Sequence, residues 1–361
     1  MKYAYWLSAI TEVGGGKISF LSQNGYSAYE IYGMSYKRLV SLDGITPQDA
    51  TAIELSKRSW NLEGEWMRLM EKGIGFVSME DDHYPNRLRH ISGAPYSLYY
   101  IGQLPDENVK SVAIVGARGR SAYGSEVTGK LAKELSVQGV QIISGLAKGI
   151  DADAHRGALD GGTPTYAVLG CGVDVCYPTS NRYLYQSILE QNGGIISEYL
   201  PGTQPRTMFF PARNRIISGL SDCVVVMEAR LKSGSLITAD CAMEQGRDVY
   251  ALPGRITDPL SAGCNHLIKQ GAGMIESVED FMKELEIVPS GLDASYDFLK
   301  NLLEKDESLV YSVTDFRPLG ISMILDKTGI PFGRLLEILN RLESLGMIKE
   351  TFPNHYIRTI I

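Results

Sequence analysis

Three patterns of apolar and polar positions divide the chain. Over roughly residues 1–75, apolar residues recur at helical spacing, as at 29–40 and 50–60, with glycine and proline between the stretches. A small helical N-terminal domain is predicted. From about 76 to 285 the pattern changes to short, nearly continuous apolar runs at 112–115, 140–143, 166–169, 194–197, 223–227 and 248–252, separated by helical stretches. Runs of that kind are strands buried on both faces, so this region is predicted to be an α/β domain: an extended, Rossmann-like, doubly wound parallel sheet. Residues 286–294 read as a linker. In the last region, 295–361, a helix-like segment at 321–329, another at 332–345 and a hairpin-like segment at 347–358 have the order of a winged helix.

Composition and charge narrow the class. With 361 residues, 44% of them hydrophobic, the chain can bury a large core in two or three domains. No apolar run of eighteen residues or more occurs, and the start, Met-Lys-Tyr-Ala-Tyr-Trp, lacks the features of a secretion signal; no membrane association and a cytoplasmic location are expected. The five cysteines contain no C-x-x-C pair and read as reduced core residues. A net charge of −7 argues against coating DNA by bulk electrostatics, yet residues 201–235 hold five basic residues against two acidic ones. One basic face on an acidic body is the expected form of a local polyanion site.

The chemistry lies in the loops that follow the strands. Gly116-Ala117-Arg118-Gly119, the segment from Ser144 and Gly145 to Lys148 and Gly149, Gly170-Cys-Gly172 and Ser233-Gly234-Ser235 should gather along the carboxyl edge of the sheet. Arg118 stands at the mouth of a strand-turn-helix unit, where its charge adds to the helix dipole, and Lys148 is a further phosphate candidate. Asp151 and His155 read as a helix cap and a packed helix residue. In Phe209-Phe-Pro-Ala-Arg-Asn-Arg-Ile216, arginine forks match phosphate oxygens and an exposed ring can stack on a base. Arg213 and Arg215 are two apart and cannot share a helix face. One of them is therefore structural, and the other, with Asn214, is expected to reach phosphate. Of the adjacent rings Phe209 and Phe210, one should be free for stacking, and Phe209, nearer Arg206, is chosen.

Other readings of the glycine loops fail on mechanics. The first loop lacks the middle glycine of a dinucleotide fingerprint, and the next strand ends without an acidic residue for a ribose. Gly124-Ser-Glu-Val-Thr-Gly-Lys130 has P-loop spacing, but Leu131 stands where magnesium needs a hydroxyl, and the segment falls in a predicted helix. The five histidines have no metal spacing and no G-x-S-x-G elbow occurs. No cofactor, metal or catalytic group is expected. In the N-terminal part, residues 42–50 resemble the turn of a helix-hairpin-helix or SAM-like module, and plain helical packing accounts for them equally. In the last region, residues 321–361 hold five basic and four acidic residues, which favours a protein-contact or dimer-supporting winged helix over a groove-reading one.

Taken jointly, Val112-Ala-Ile-Val-Gly116, Ser144-Gly-Leu-Ala-Lys-Gly-Ile-Asp151 with Ala154-His155, Ser197-Glu198, Phe210-Pro-Ala-Arg-Asn-Arg-Ile216 and Ser233-Gly-Ser-Leu-Ile-Thr-Ala239 resemble the DprA (Smf) DNA-processing family of natural transformation. Tyr84-Pro85, Pro253-Gly254 and Gly263-Cys-Asn265 belong to the same resemblance, which spans nearly the whole chain. It implies a cytosolic, non-enzymatic protein that binds and protects single-stranded DNA, helps to load the RecA recombinase, and forms a homodimer through the Rossmann-like domain. Carried over, the DNA site comprises Arg118, Arg206, Phe209, Arg213, Asn214, Ser233, Gly234 and Ser235; the loop residues Gly116, Ala117, Ser144, Gly145, Lys148, Gly149 and Arg215 complete the candidate set. Ala117 departs from the family's usual hydroxyl residue, and Lys148 from its frequent arginine. The alternative is a nucleotide-binding enzyme resembling the nucleoside monophosphate phosphoribohydrolases, for which Asp151 and Glu198 are the carboxylates available. An adaptor working mainly through the winged helix is a third reading.

Overall fold

The computed structural model describes residues 1–287, 303–314 and 318–358. Met1–Ile287 form one compact unit and Val288–Ile361 a second. Most of the expected linker lies outside the described residues.

The first unit begins with six helices, α1 (Lys2–Ser8), α2 (Gly15–Gln23), α3 (Ala28–Gly33), α4 (Tyr36–Val40), α5 (Pro47–Ser59) and α6 (Leu62–Glu71). They do not close a core of their own. Tyr5 packs edge-on against Phe76 at 5.6 Å, the Ser8 hydroxyl meets the Tyr99 hydroxyl at 2.7 Å, and Ser19 donates to the Ala94 carbonyl at 2.8 Å. One apolar cluster therefore runs from Trp6 and Leu21 to Leu169 and Ile195, across the expected boundary at residue 75. The turn before α5 ends in a capping box: Thr46 accepts from the Asp49 N–H, while the Asp49 carboxylate accepts from the Thr46 N–H and pairs with Lys17. The Thr46 N–H is thus held by a carboxylate and the Ile45 N–H by the Leu42 carbonyl, bonds that fit the packing reading of this segment.

Nine strands follow: β1 (Gly75–Ser78), β2 (Ser97–Gly102), β3 (Ser111–Val115), β4 (Gln141–Ser144), β5 (Thr165–Val168), β6 (Gly194–Ser197), β7 (Cys223–Val226), β8 (Asp248–Ala251) and β9 (Gly273–Met274). They form one sheet in the order β1-β2-β6-β5-β4-β3-β7-β8-β9. Strands β3 to β9 are parallel, with registers such as Val112↔Ile142 and Val112↔Cys223, whereas β1 and β2 add an antiparallel margin at β6. Every residue of β3 to β7 is buried, as their continuous apolar character requires. Helices α7 (Asn86–Arg89), α8 (Ala122–Val137), α9 (Ile150–Gly161), α10 (Arg182–Glu190), α11 (Phe209–Gly219), α12 (Gly234–Glu244), α13 (Ala262–Lys269) and α14 (Val278–Glu284) complete the unit. Two further apolar clusters bury the strands' side chains. The P-loop-like segment lies inside α8, where helical bonds consume the amides a phosphate would need and Lys130 pairs with Glu134 at 3.3 Å.

The second unit holds α15 (Lys305–Val313), β10 (Leu319–Gly320), α16 (Ile321–Thr328), α17 (Phe332–Ser344), β11 (Ile348–Phe352) and β12 (His355–Arg358), with its strands ordered β10-β12-β11. Its core is an apolar cluster that includes Val310, Ile324, Leu335, Leu339 and Met347. No helix among the described residues is long and apolar enough to cross a membrane.

Candidate nucleic-acid interface

From β3 the chain steps through β4, β5 and β6 on one side, then returns to build β7, β8 and β9 on the other. The reversal falls between β3 and β7, the place where doubly wound sheets bind ligands. Because the strands are parallel, the four glycine loops meet on this edge. The Ile150 N–H donates to the Ala117 carbonyl at 3.2 Å, and Gly149, with φ of 81°, lies so close to the first loop that a Cβ would stand 2.3 Å from that same carbonyl. A Cβ on Gly170 would lie 3.0 Å from the Phe210 ring, so the third loop packs on α11.

Helix α11 is the hub, and its polar side chains are spent on the protein itself. The buried Arg213 donates from Nη2 to the Gly145 carbonyl at 2.9 Å; a Cβ on Gly145 would fall about 2 Å from the guanidinium, so only glycine fits. Asn214 donates to the Gly234 carbonyl at 3.1 Å and braces the serine turn. Arg215 grips both oxygens of Glu198 at 2.8 and 2.6 Å and donates to the Gly93 carbonyl at 2.7 Å. The expectation that one arginine, with Asn214, reaches phosphate thus meets three side chains that brace loops. Burial holds the Arg213 guanidinium below its ordinary range, opposed by the neighbouring Asp151 charge.

Beneath the second loop, α9 starts at Ile150, with Gly149 as its cap residue. Asp151 is not the cap. Its buried carboxylate accepts from the Ala147 N–H at 3.3 Å and is pushed up by burial, against the pull of Arg213 and loop amides. His155 is fully buried, with Nδ1 2.8 Å from the Thr165 hydroxyl, which itself donates to the Ile142 carbonyl at 2.7 Å. Nδ1 therefore carries the proton toward Thr165, and burial, then Arg213 and Arg156, push the ring down to about 3. It is a neutral, packed residue. Ser144 is also buried and donates to the Ile114 carbonyl at 2.6 Å.

What remains facing solvent is cationic and aromatic. Arg118, Lys148 and Arg206 are exposed and form no ion pair among the described residues. Arg118 lies 5.4 Å from the centre of the Phe210 ring, and Phe210 stacks obliquely on Tyr177 at 5.6 Å. Arg206 lies 5.7 Å from the Phe209 ring, which stacks on Tyr199 at 4.1 Å and 28°. Both phenylalanines are half-buried. In place of one free ring and one core ring, each carries a guanidinium and a tyrosine. Gly234 is exposed with open space around it, while the Ser233 hydroxyl meets the Ser235 hydroxyl at 2.7 Å and caps α12. Gly116, half-exposed, and the buried Ala117 form the floor beside Arg118.

Three participants were invisible in the sequence. Tyr177 and Tyr199 are two of 20 tyrosines and follow no pattern. Glu228, just past β7, is buried and accepts from the N–H and hydroxyl of Ser121, fastening the N-terminus of α8 to the edge. Cys171, Cys223 and Cys264 are buried as expected, their thiols pushed up by burial to about 11, 12 and 12, whereas Cys176 and Cys241 are only partly buried, not core residues. No cluster of possible metal ligands occurs among the described residues.

Fold and edge together define a Rossmann-like α/β protein whose switch point presents unpaired cations and stacked rings to solvent. The chain belongs to the family described as DNA recombination-mediator protein A, whose family model matches residues 75–286. It is 37% identical over 305 residues to Protein Smf of Escherichia coli, covering 82% of this chain and 81% of that protein. The X-ray structure of DNA processing protein A from Streptococcus pneumoniae superimposes with a TM-score of 0.67 at 37% identity, over 79% of this chain and 98% of that one. DNA processing protein A from Helicobacter pylori, whose structure is described as giving insight into a unique single-stranded DNA binding mode, matches with a TM-score of 0.53 at 34% identity, over 59% of this chain and 95% of that one.

Proposed function

We propose that this protein binds single-stranded DNA along the carboxyl edge of its large sheet, and that it protects an incoming strand and passes it to the RecA recombinase in natural transformation and homologous recombination. The observation that carries the reading is the group of Arg118, Lys148 and Arg206, exposed and unpaired beside two arginine-topped ring pairs. Phosphates engage the cations and the exposed turn at Gly234, while bases stack on Phe209 and its tyrosine neighbour. Such contacts are tolerant of sequence and sensitive to salt. The DNA-binding relative from Helicobacter pylori supports the choice of ligand. A cytoplasmic homodimer joined through the Rossmann-like unit would raise avidity by linking two such edges. The C-terminal unit, with the element order of a winged helix, is assigned a protein-contact role.

Binding needs no chemical step. The two carboxylates a nucleotide hydrolase would require are committed elsewhere, Asp151 to the second loop and Glu198 to Arg215. Fluorescence anisotropy with labelled poly-dT across a salt series, competed with duplex of equal length, tests the reading. Tight, salt-sensitive preference for the single strand is expected. Absence of binding at low salt, or release of free base from nucleoside monophosphates, would overturn it.

A further inference from the structure

Two motifs singled out in the sequence, Pro253-Gly254 and Gly263-Cys-Asn265, play no part in the edge described so far. They meet each other just past β8. Asn265 accepts from the Gly254 N–H at 3.2 Å and donates to the Gly254 carbonyl at 3.0 Å. A Cβ on Gly254 would lie 2.0 Å from the Ser261 hydroxyl, and one on Gly263 2.7 Å from the Ala229 carbonyl, so both glycines allow contacts that a side chain would block. Ala229 then ties the loop after β7 to the same place: its N–H donates to Leu260 and its carbonyl accepts from Gly263, both at 2.7 Å. The loops after β7 and β8 are thus one braced platform.

That platform carries Arg230, Lys232 and Arg255, all exposed and none in an ion pair among the described residues. The acidic residue of the loop after β8, Asp258, turns its carboxylate to the Leu260 N–H at 2.9 Å. Between the cations stand Leu231, 61% exposed, and Ile256, 95% exposed, which offer aliphatic contact to sugars and bases rather than to a core. Taken in sheet order, unpaired cations follow β6 (Arg206), β4 (Lys148), β3 (Arg118), β7 (Arg230, Lys232) and β8 (Arg255). Five strand spacings of ~4.8 Å make this line roughly 24 Å long, or about seven nucleotides at the ~3.4 Å spacing of a stacked strand.

We propose that the DNA track continues past the Ser233 turn and ends on Arg230, Lys232 and Arg255. The proposal rests on the single-stranded DNA reading above and extends it to the far side of the switch point. The test uses the full chain carrying R230A, K232A and R255A together, with R255A alone as a second variant, dT oligonucleotides of about four and about twelve nucleotides, and a salt series. The shorter oligonucleotide should bind the triple variant within about twofold of wild type. The longer should bind it at least about tenfold more weakly, with a log–log salt slope reduced by about 2, since each single-strand phosphate contributes ~0.7. R255A alone should fall between. Unchanged affinity and slope on the longer oligonucleotide, with wild type binding it, would overturn the extension alone. Equal losses at both lengths would overturn it too, because the platform would then not be the end of the track. Wild type binding neither oligonucleotide would bring down the underlying reading as well.

Discussion

The carboxyl edge of the large sheet and the C-terminal unit both hold arginines committed to the protein, such as Arg213 and Arg215 on the edge, but they differ in what they leave over. In the C-terminal unit each described arginine is committed: Arg334 to Glu304 and Glu337, Arg341 to the buried carboxylate of Glu307, and Arg358 to the Tyr311 carbonyl. On the sheet edge, Arg118, Arg206, Arg230 and Arg255 stay free, and Arg118 is close enough to the buried Arg213 to disfavour its charge further. Keeping like charges near one another without ion-pair partners destabilises a fold slightly. A polyanion in the same place reverses the sign of that effect. The proposed strand site therefore suits the edge better than the C-terminal unit, where each described arginine already has a partner within the protein.

The largest expected effect lies inside the edge, where buried and exposed arginines should separate. Arg213→Ala leaves Asp151 buried without the cation that most favours its charge and the Gly145 carbonyl without its donor. A loss of about 1–3 kcal/mol of stability is expected, the usual cost of leaving a buried polar group without its partner, and it is read by urea denaturation. A variant with unchanged stability and lost DNA affinity would move Arg213 from the brace to the contact set. The exposed pair should do the reverse. Arg118→Ala with Arg206→Ala should leave stability within about 0.5 kcal/mol, as surface changes do, while lowering affinity for dT oligonucleotides about a hundredfold. The salt slope should fall by about 1.4. Unchanged affinity at several salt concentrations would erase the contrast between edge and C-terminal unit.

That contrast shows what could be read from the chain alone. The strands β3 to β8 fall within a residue or so of their apolar runs, because a strand buried on both faces must be apolar throughout. The antiparallel margin of β1 and β2 went unseen: Ser97–Gly102 carries four hydrophobic residues, two of them tyrosines, between a serine and a glycine, and its pairing is with β6, about a hundred residues on. Loop positions followed from topology, so Arg118, Lys148, Arg206 and the serine turn lie after the carboxyl ends of the strands, as expected. What the arginine motif does was not legible. Whether Arg213 points to phosphate or to Gly145 depends on a glycine 68 residues earlier that leaves room for it, and Arg215 depends on Glu198, a partner that spacing cannot assign. Long-range hydrogen bonds of this sort leave no local pattern.

The smallest expected effect is the sharpest test of the comparison. Arg334 and Arg341 lie on α17, the helix that a groove-reading winged helix would insert into DNA, and Phe332 at its start is 55% exposed. If the unit met DNA through this face, both guanidiniums would have to leave their carboxylates, and Glu304, Glu307 and Glu337 would then stand unneutralised against the phosphates. Arg334→Ala with Arg341→Ala in the full chain should therefore change affinity for single-stranded or duplex oligonucleotides by less than about twofold and leave the salt slope alone, because these charges neutralise no phosphate. A tenfold loss with a lowered slope would show that the pairs open on binding, and would give the C-terminal unit a share of the DNA that its charge balance argues against.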